Sequence, residues 1–232
     1  MSGAGETKKE YPKPSLTADV VVMALGERGL EVLFIERARD PFKGSWALPG
    51  GFVEPKETAA EGAARELEEE TGLTKVELTE LGVFSKPGRD PRGWVVSVAH
   101  VALLPASRRA DAEAGDDAAE AAWLDLVIEE GGGFSLTKDG KAVELAFDHH
   151  DIMKKAVASI GARPHDHALG LLGATFSIEE AARAYQAVLG HAVDEPRLAV
   201  WLEVEGWIKN AAGGRFERGT PPGPRLPPRS RT

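Results

Sequence analysis

Residues 50–73 read GGFVEPKETAAEGAARELEEETGL, and this stretch constrains the chain more than any other. Residues 58–71 are rich in helix formers, and Gly72 follows as a natural C-terminal stop. On such a helix Glu66, Glu69 and Glu70 stand at i, i+3 and i+4, so three carboxylates share one face. Like charges at that spacing repel and weaken an isolated helix, so the face calls for a compensating cation. Mg2+ or Mn2+ is the fitting kind, because hard divalent cations take carboxylate oxygens. A merely solvated acidic face is the plain alternative. Pro49-Gly50-Gly51 argues against it, since glycines let backbone groups approach a metal or a phosphate closely. Cysteine is absent, which excludes disulfides, thiolate metal sites and cysteine nucleophiles but not an oxygen-ligated cation.

The stretch resembles the Nudix box of the Nudix hydrolases, G-x5-E-x7-R-E-U-x-E-E-x-G-U, with U bulky and apolar. Gly51, Glu57, Arg65, Glu66, Leu67, Glu69, Glu70, Gly72 and Leu73 fill every specified position. The resemblance implies an α/β fold, the Nudix α/β/α sandwich with a mixed sheet, holding a loop–helix–loop metal site. It implies metal-dependent hydrolysis of a nucleoside diphosphate linked to another group. Glu66, Glu69 and Glu70 match the family's metal-binding carboxylates, and the carbonyl of Gly50 matches a backbone ligand. Glu57 and Arg65 match a mainly structural pair that orients the carboxylates. The proton acceptor for the attacking water is either a box glutamate, Glu66 or Glu69, or a carboxylate on a distal loop, here Asp117 or Glu120. A solvated acidic loop is the plain reading of the last two.

Substrate contacts are expected from Gly51 and from three arginines. Arg37 ends the second strand, where similar sequences place an arginine on substrate phosphate. The loop at 86–93 (KPGRDPRG) resembles a stretch common in ADP-ribose pyrophosphatases of this family, and it supplies Arg89 and Arg92, cations suited to a second phosphate or a ribose edge. Phe42, Trp46 or Phe84 could stack on adenine, although each fits a core position as well. ADP-ribose, cleaved to AMP and ribose 5-phosphate, is the expected substrate.

The rest of the chain frames this site. Residues 1–15 read as a flexible lead-in. The runs at 19–25 (DVVVMAL) and 31–35 (EVLFI) are β-rich and flank a turn at 26–29. Residues 46–53 predict a short strand broken by Pro49-Gly50-Gly51, and 76–84 and 94–104 predict further strands. Residues 129–139, with three consecutive glycines, predict a linker. Strands around one helix suggest a mixed-sheet domain over residues 16–147. The N-terminal residues lack an apolar h-region, and no apolar run approaches a membrane span, so a cytoplasmic protein is expected.

From residue 148 the pattern turns helical, with helices predicted over 151–160, 178–189 and 196–205. Ser177 with Glu180 forms a capping-box signal, and residues 207–218 predict a small hairpin around Gly213-Gly214. Residues 147–209 resemble the winged-helix module of the Nudix-related transcriptional regulators of NAD and sugar metabolism, so a winged helix-turn-helix-like domain is expected over 148–218, followed by a disordered basic tail over 219–232. Both related groups imply a homodimer. The chain carries a net charge of −9, but the excess sits in residues 1–147, with 17 Lys+Arg against 27 Asp+Glu; residues 148–232 hold 11 against 10. The helix in the recognition position carries Arg197 against Asp194, Glu195, Glu203 and Glu205, a poor surface for a phosphate backbone. That balance and the intact box favour a Nudix pyrophosphatase. The alternative is a regulator that binds DNA through the winged helix with ADP-ribose or a sugar phosphate as effector. The basic tail (Arg225, Arg229, Arg231), with Arg215 and Arg218, keeps DNA as a partner. His149, His150, His165 and His167 are more simply hydrogen-bonded or solvated than zinc ligands.

Overall fold

A computed structural model describes residues 11–114, 118–129 and 133–220. Its first part is built from β1 (Ser15–Leu25), β2 (Leu30–Arg37), β3 (Trp46–Ala47), β4 (Gly50–Phe52), α1 (Ala59–Thr71), β5 (Thr79–Phe84), β6 (Val95–Leu104), β7 (Ala118–Ile128), β8 (Phe134–Lys138) and β9 (Lys141–Ala142). These strands form one sheet in the order β5-β6-β1-β2-β7-β8-β9, with β3 paired to β2 and β4 to β1. β1 runs parallel to β6, and the other pairs are antiparallel. The sheet is therefore mixed, as the sequence suggests.

Both faces of the central strands are apolar, which is why those strands read as continuous hydrophobic runs. Ala18, Val20, Val22 and Ala24 of β1 face one side and pack with Ala63 and Leu67 of α1. Val21, Met23 and Leu25 face the other and join Val32, Phe34, Val101 and Leu124. That second face is covered by α2 (His149–Ala162), through Ile152, Met153, Ala156, Val157 and Ile160. Helix, sheet and helix thus form three layers. Sequence periodicity groups α2 with the helices that follow it; its buried stripe packs against the sheet as well.

Beyond α2 come α3 (Pro164–Gly170), β10 (Thr175–Phe176), α4 (Ile178–Leu189), α5 (Glu195–Val204), β11 (Ile208–Asn210) and β12 (Phe216–Arg218). The last three strands make a small antiparallel sheet in the order β10-β12-β11. Two helices, α4 and α5, are thus followed by the β11–β12 hairpin, and β10 completes its sheet. At its centre His165 sits among Tyr185, Trp201 and Trp207, and its Nδ1 lies 2.9 Å from the Tyr185 hydroxyl. α4 starts at the Ser177–Glu180 capping box and ends on Gly190 in the left-handed region.

Two expectations are corrected. Residues 129–139 are not simply a linker: Phe134–Lys138 pairs with β7 as β8, because a two-residue alternation resumes after the glycines. The helix α3, absent from the periodicity reading, begins on Pro164 and is held by burial of His165, His167 and Leu169. Residues 1–10 and 221–232, and with them most of the expected lead-in and tail, lie outside the described residues. Among the described residues no helix is long and apolar enough to cross a membrane.

Candidate active site

The carboxylate helix is fixed at both ends by its own sequence. Thr58 caps α1: its hydroxyl accepts the Glu61 N–H at 3.2 Å, and the Glu61 carboxylate accepts the Thr58 N–H at 2.7 Å. Gly72 closes the helix with φ of 71°. Gly62, Ala63, Leu67 and Thr71 are buried toward the sheet, which leaves Glu66, Glu69 and Glu70 beside the loop formed by β4.

Arg65 is the hub of this face. Its Nη2 and Nε donate to the two oxygens of Glu57 at 2.8 and 3.3 Å. Its Nη1 donates to Glu66 at 2.9 Å and Glu69 at 3.2 Å, and its Nη2 also donates to the Phe52 carbonyl at 3.0 Å. One guanidinium therefore ties the loop at Glu57 and Phe52 to two carboxylates of the helix. The contacts with Glu57 and Glu66 push the arginine's pKa upward. Glu70 turns to the loop instead, where it accepts the Gly50 N–H at 2.8 Å. Burial pushes its carboxyl up to about 8, against the lowering effect of the Gly50 bond, and the neighbouring Glu66 and Asp19 add to the rise. Burial also raises Glu66, opposed by Arg65 and assisted by Glu69.

Glycine is required in the loop. A Cβ on Gly51 would stand 2.4 Å from the Glu66 carboxylate carbon, and one on Gly50 would stand 2.2 Å from the Ala18 carbonyl oxygen. The result is a cradle of crowded, partly desolvated carboxylates against bare backbone. Among the described residues no three acidic or histidine side chains are already gathered at metal-holding distances, since Arg65 and the Gly50 N–H take up their oxygens. An all-oxygen donor set, in which Glu69 raises the pKa of Glu66 and Glu66 that of Glu70, nevertheless suits a hard divalent cation.

Beside this cradle lies a narrow cleft of about 60 Å³, lined by residues that include Asp19, Arg37, Gly50, Gly51, Phe52, Arg89, Arg92, Phe147 and His149. Arg37 reaches it from the end of β2, where the register against β7 shifts between Glu36 and Arg37. Such irregularities commonly re-aim a side chain at a functional edge. Arg92 is held by Asp90, with Nη2 donating at 2.7 Å and Nε at 3.0 Å. The sequence sets Arg89 beside Arg92 as a substrate reader, but the structure buries it: its Nε and Nη2 donate to Asp148 at 2.9 and 2.6 Å, and Asp19 lies 3.6 Å away. Its guanidinium braces the cleft floor from within.

Glu120 faces Glu36 across the β2–β7 ladder, is ion-paired with Lys138, and does not line the cleft. Asp117 lies outside the described residues. Of the three aromatic candidates, Phe42 packs edge-on to Phe147 at the cleft, Trp46 is buried beneath the Lys138 ammonium, and Phe84 packs in the core beside Lys155 of α2. The histidines do not cluster: His149 accepts the Leu48 N–H at 2.9 Å, His165 meets Tyr185, His167 contacts the Arg163 carbonyl, and His150 stacks on Phe134.

Motif reading misses Asp19, Ser97, Phe147 and Asp148. Asp19 accepts a short hydrogen bond from Ser97 and faces Arg89 and His149. Its only local signal is a lone carboxylate at the head of an apolar strand. A larger cavity, about 770 Å³, lies between β5, β6, α2 and α3, away from the carboxylates. The candidate chemistry follows the carboxylates and the glycine cradle rather than the volume.

The NUDIX domain profile matches residues 14–128. Over 192 residues the chain is 31% identical to the ADPR responsive transcriptional repressor NtrR of Acinetobacter baylyi, covering 81% of this chain and 72% of that protein. Over 144 residues it is 40% identical to the ADP-ribose pyrophosphatase of Methanocaldococcus jannaschii, covering 62% of this chain and 73% of the relative. Among solved structures, a MutT/nudix family protein from Enterococcus faecalis superposes with a TM-score of 0.78 at 32% identity, covering 92% of this chain and 89% of that one. Shewanella oneidensis NrtR shares the fold, with a TM-score of 0.66 at 22% identity over 89% of this chain and 94% of its own.

Proposed function

The chain belongs to the Nudix hydrolases, and from that premise we propose that it hydrolyses ADP-ribose to AMP and ribose 5-phosphate in a reaction that depends on Mg2+ or Mn2+. The observation that carries this reading is the cradle itself: Glu66, Glu69 and Glu70 gathered around a loop where Gly51 alone leaves room for the Glu66 carboxylate. In this reading Glu66, Glu69, Glu70 and the Gly50 carbonyl hold the cation. A cation held there would supply charge neutralisation for the phosphates and a lowered pKa for a bound water. Glu57 and Arg65 keep the carboxylates in register with the loop. Arg37 and Arg92 receive the diphosphate oxygens, and Gly51 lets the substrate approach the backbone. Glu120 is engaged by Lys138, so among the described carboxylates the water's proton is assigned to those of the box, with the exposed Glu69 the least encumbered; Asp117, outside the described residues, is the other candidate. Residues 16–147 form the hydrolase domain and 148–218 the winged-helix-like domain, and the protein acts as a homodimer.

The test is release of AMP from ADP-ribose with and without Mg2+. Glu69→Gln should lower kcat by on the order of 100-fold or more. Absence of metal-dependent turnover on any nucleoside diphosphate derivative would sink the reading.

A second reading, DNA binding by the winged-helix-like domain, is favoured by its helix–helix–hairpin order and by the 31% identity to a repressor. The surface weighs against it. α5 is acidic, Arg215 donates to the Thr175 carbonyl and Glu180, and Arg218 donates to the Gly170 and Leu172 carbonyls. The wing's arginines are thus engaged within the protein. A gel shift with the protein's own upstream DNA at low salt decides this reading, and no retardation removes it.

A further inference from the structure

Four side chains at the mouth of the cleft alternate aromatic and cationic: Phe52, Arg92, Phe147, Arg37. The Arg92 guanidinium lies 4.9 Å from the Phe52 ring centre and 5.2 Å from that of Phe147, and the Arg37 guanidinium lies 4.8 Å from Phe147. One phenyl ring thus serves two guanidinium groups that repel each other. We propose that Phe147 is a positioning residue for the diphosphate: it holds Arg37 and Arg92 as a two-armed anion clamp, and it sets affinity without touching the reacting atoms. This rests on the ADP-ribose reading above and extends it to a residue that lies beyond the box and outside the matched domain profile.

Three observations carry it. First, Phe147 is anchored from both sides. Before it, the Ala146 N–H donates to the Trp46 carbonyl at 2.8 Å, and the Trp46 N–H donates to the Glu144 carbonyl at 3.1 Å. After it, Asp148 grips Arg89 and His149 accepts the Leu48 N–H. Phe147 itself has φ of 53°, a left-handed conformation that costs a bulky residue energy and is worth a functional explanation.

Second, each arginine is held from behind and open in front. Arg92 uses Nε and Nη2 on Asp90; Arg37 uses Nε on the Pro41 carbonyl at 2.7 Å and Nη2 on the Arg39 carbonyl. Nη1 of neither arginine is a donor in these bonds. Burial and the proximity of Arg92 both lower the Arg37 pKa, against the raising effect of Glu70, Asp90 and Asp40. The negative face of the phenyl ring offsets part of that repulsion.

Third, the cleft is lined by Arg37, Arg92 and the bare backbone of Gly50 and Gly51, groups suited to phosphate oxygens. The row therefore fits the phosphates.

The test compares wild type with Phe147→Leu, which keeps apolar bulk without a π face, and Phe147→Tyr, which keeps the face. In Phe147→Leu the KM for ADP-ribose should rise about tenfold, with kcat within about twofold, and calorimetry on metal-free protein should show ADP-ribose affinity falling by about the same factor. Phe147→Tyr should restore both. Phe147→Met replaces the leucine variant if that one fails to fold. Unchanged KM and affinity in the variant without the ring overturn the clamp, as does a kcat loss at constant KM or a failure of Tyr to rescue. A wild-type chain that binds ADP-ribose without cleaving it overturns only the hydrolase reading, and the affinity arm still judges Phe147. If ADP-ribose does not bind at all, inorganic pyrophosphate is the probe, and equal affinity for wild type and Phe147→Leu overturns the clamp.

Discussion

Gly51 has no room for a methyl group. Its Cβ would fall 2.5 Å from both oxygens of Glu66, a partly buried carboxylate already held at 2.9 Å by Arg65. The loop cannot retreat, because the neighbouring residue Gly50 is pinned by its N–H to Glu70 and by the Ala18 carbonyl on its other side. Gly51→Ala must therefore displace Glu66 by roughly an ångström, and misplacement on that scale costs on the order of 100-fold in rate. The expected outcome is a loss of about that size in kcat/KM on ADP-ribose, with Tm little changed, because the buried stripe of α1 packs with the apolar face of β1, which the substitution leaves in place. A variant with near-native kcat/KM would show that the Glu66 carboxylate need not stay where Arg65 holds it.

At the scale of elements, α1 carries its instructions locally. The Thr58–Glu61 capping box joins residues three apart, and Gly72 ends the helix with a conformation that only its own φ requires. Such signals can be read from sequence because they depend on nothing distant. Thr58→Ala removes the hydroxyl acceptor for the Glu61 N–H and should cost about 1 kcal/mol, or roughly 2–4 °C in Tm for a chain of this size. Thermal unfolding followed by circular dichroism checks this, and a Tm within 1 °C of wild type would show the cap to be idle. The elements that escape sequence reading have the opposite character. β8 exists because β7 is there to pair with it, and the glycines before it mask the alternation that follows. α3 starts on a proline and owes its place to burial of two histidines. The cleft floor joins Asp19 to Ser97 across 78 residues and Arg89 to Asp148 across 59. No local pattern announces such a pair, so the box legible in residues 51–73 supplies the carboxylates and not the residues that line the cleft beside them.

Across the whole molecule, α2 joins the two parts into one apolar core, running from Val21 and Phe34 of the sheet to Tyr185 and Leu202 of the C-terminal helices. Arg183 adds a polar tie, donating to the Gly26 carbonyl in the β1–β2 turn. Four histidines are buried in this fabric, His100, His149, His165 and His167, and burial lowers the pKa of each. A histidine with a folded pKa below its unfolded value of about 6.5 binds more proton when unfolded. Its neutral, packed form is fully stabilising above that value, and the contribution is lost as pH falls toward the folded pKa. Glu70, pushed up to about 8, acts with the opposite sign, since the folded chain holds its proton more tightly than the unfolded one. The net slope of the wild type is therefore a difference, and a single-site comparison isolates the histidine part. His165 is the best placed, enclosed by three aromatic rings with its Nε2 buried and unpartnered. His165→Phe keeps the ring and removes the proton site, at the cost of the bond to Tyr185. The variant should be less stable than wild type at pH 8 and should gain on it as pH falls below about 6.5, by at most about 1.4 kcal/mol per pH unit for one proton. Urea unfolding of both proteins between pH 8 and 5 measures the gap. A gap that stays constant across that range would mean that His165 takes up no proton on unfolding, and that acid weakens this core through other groups.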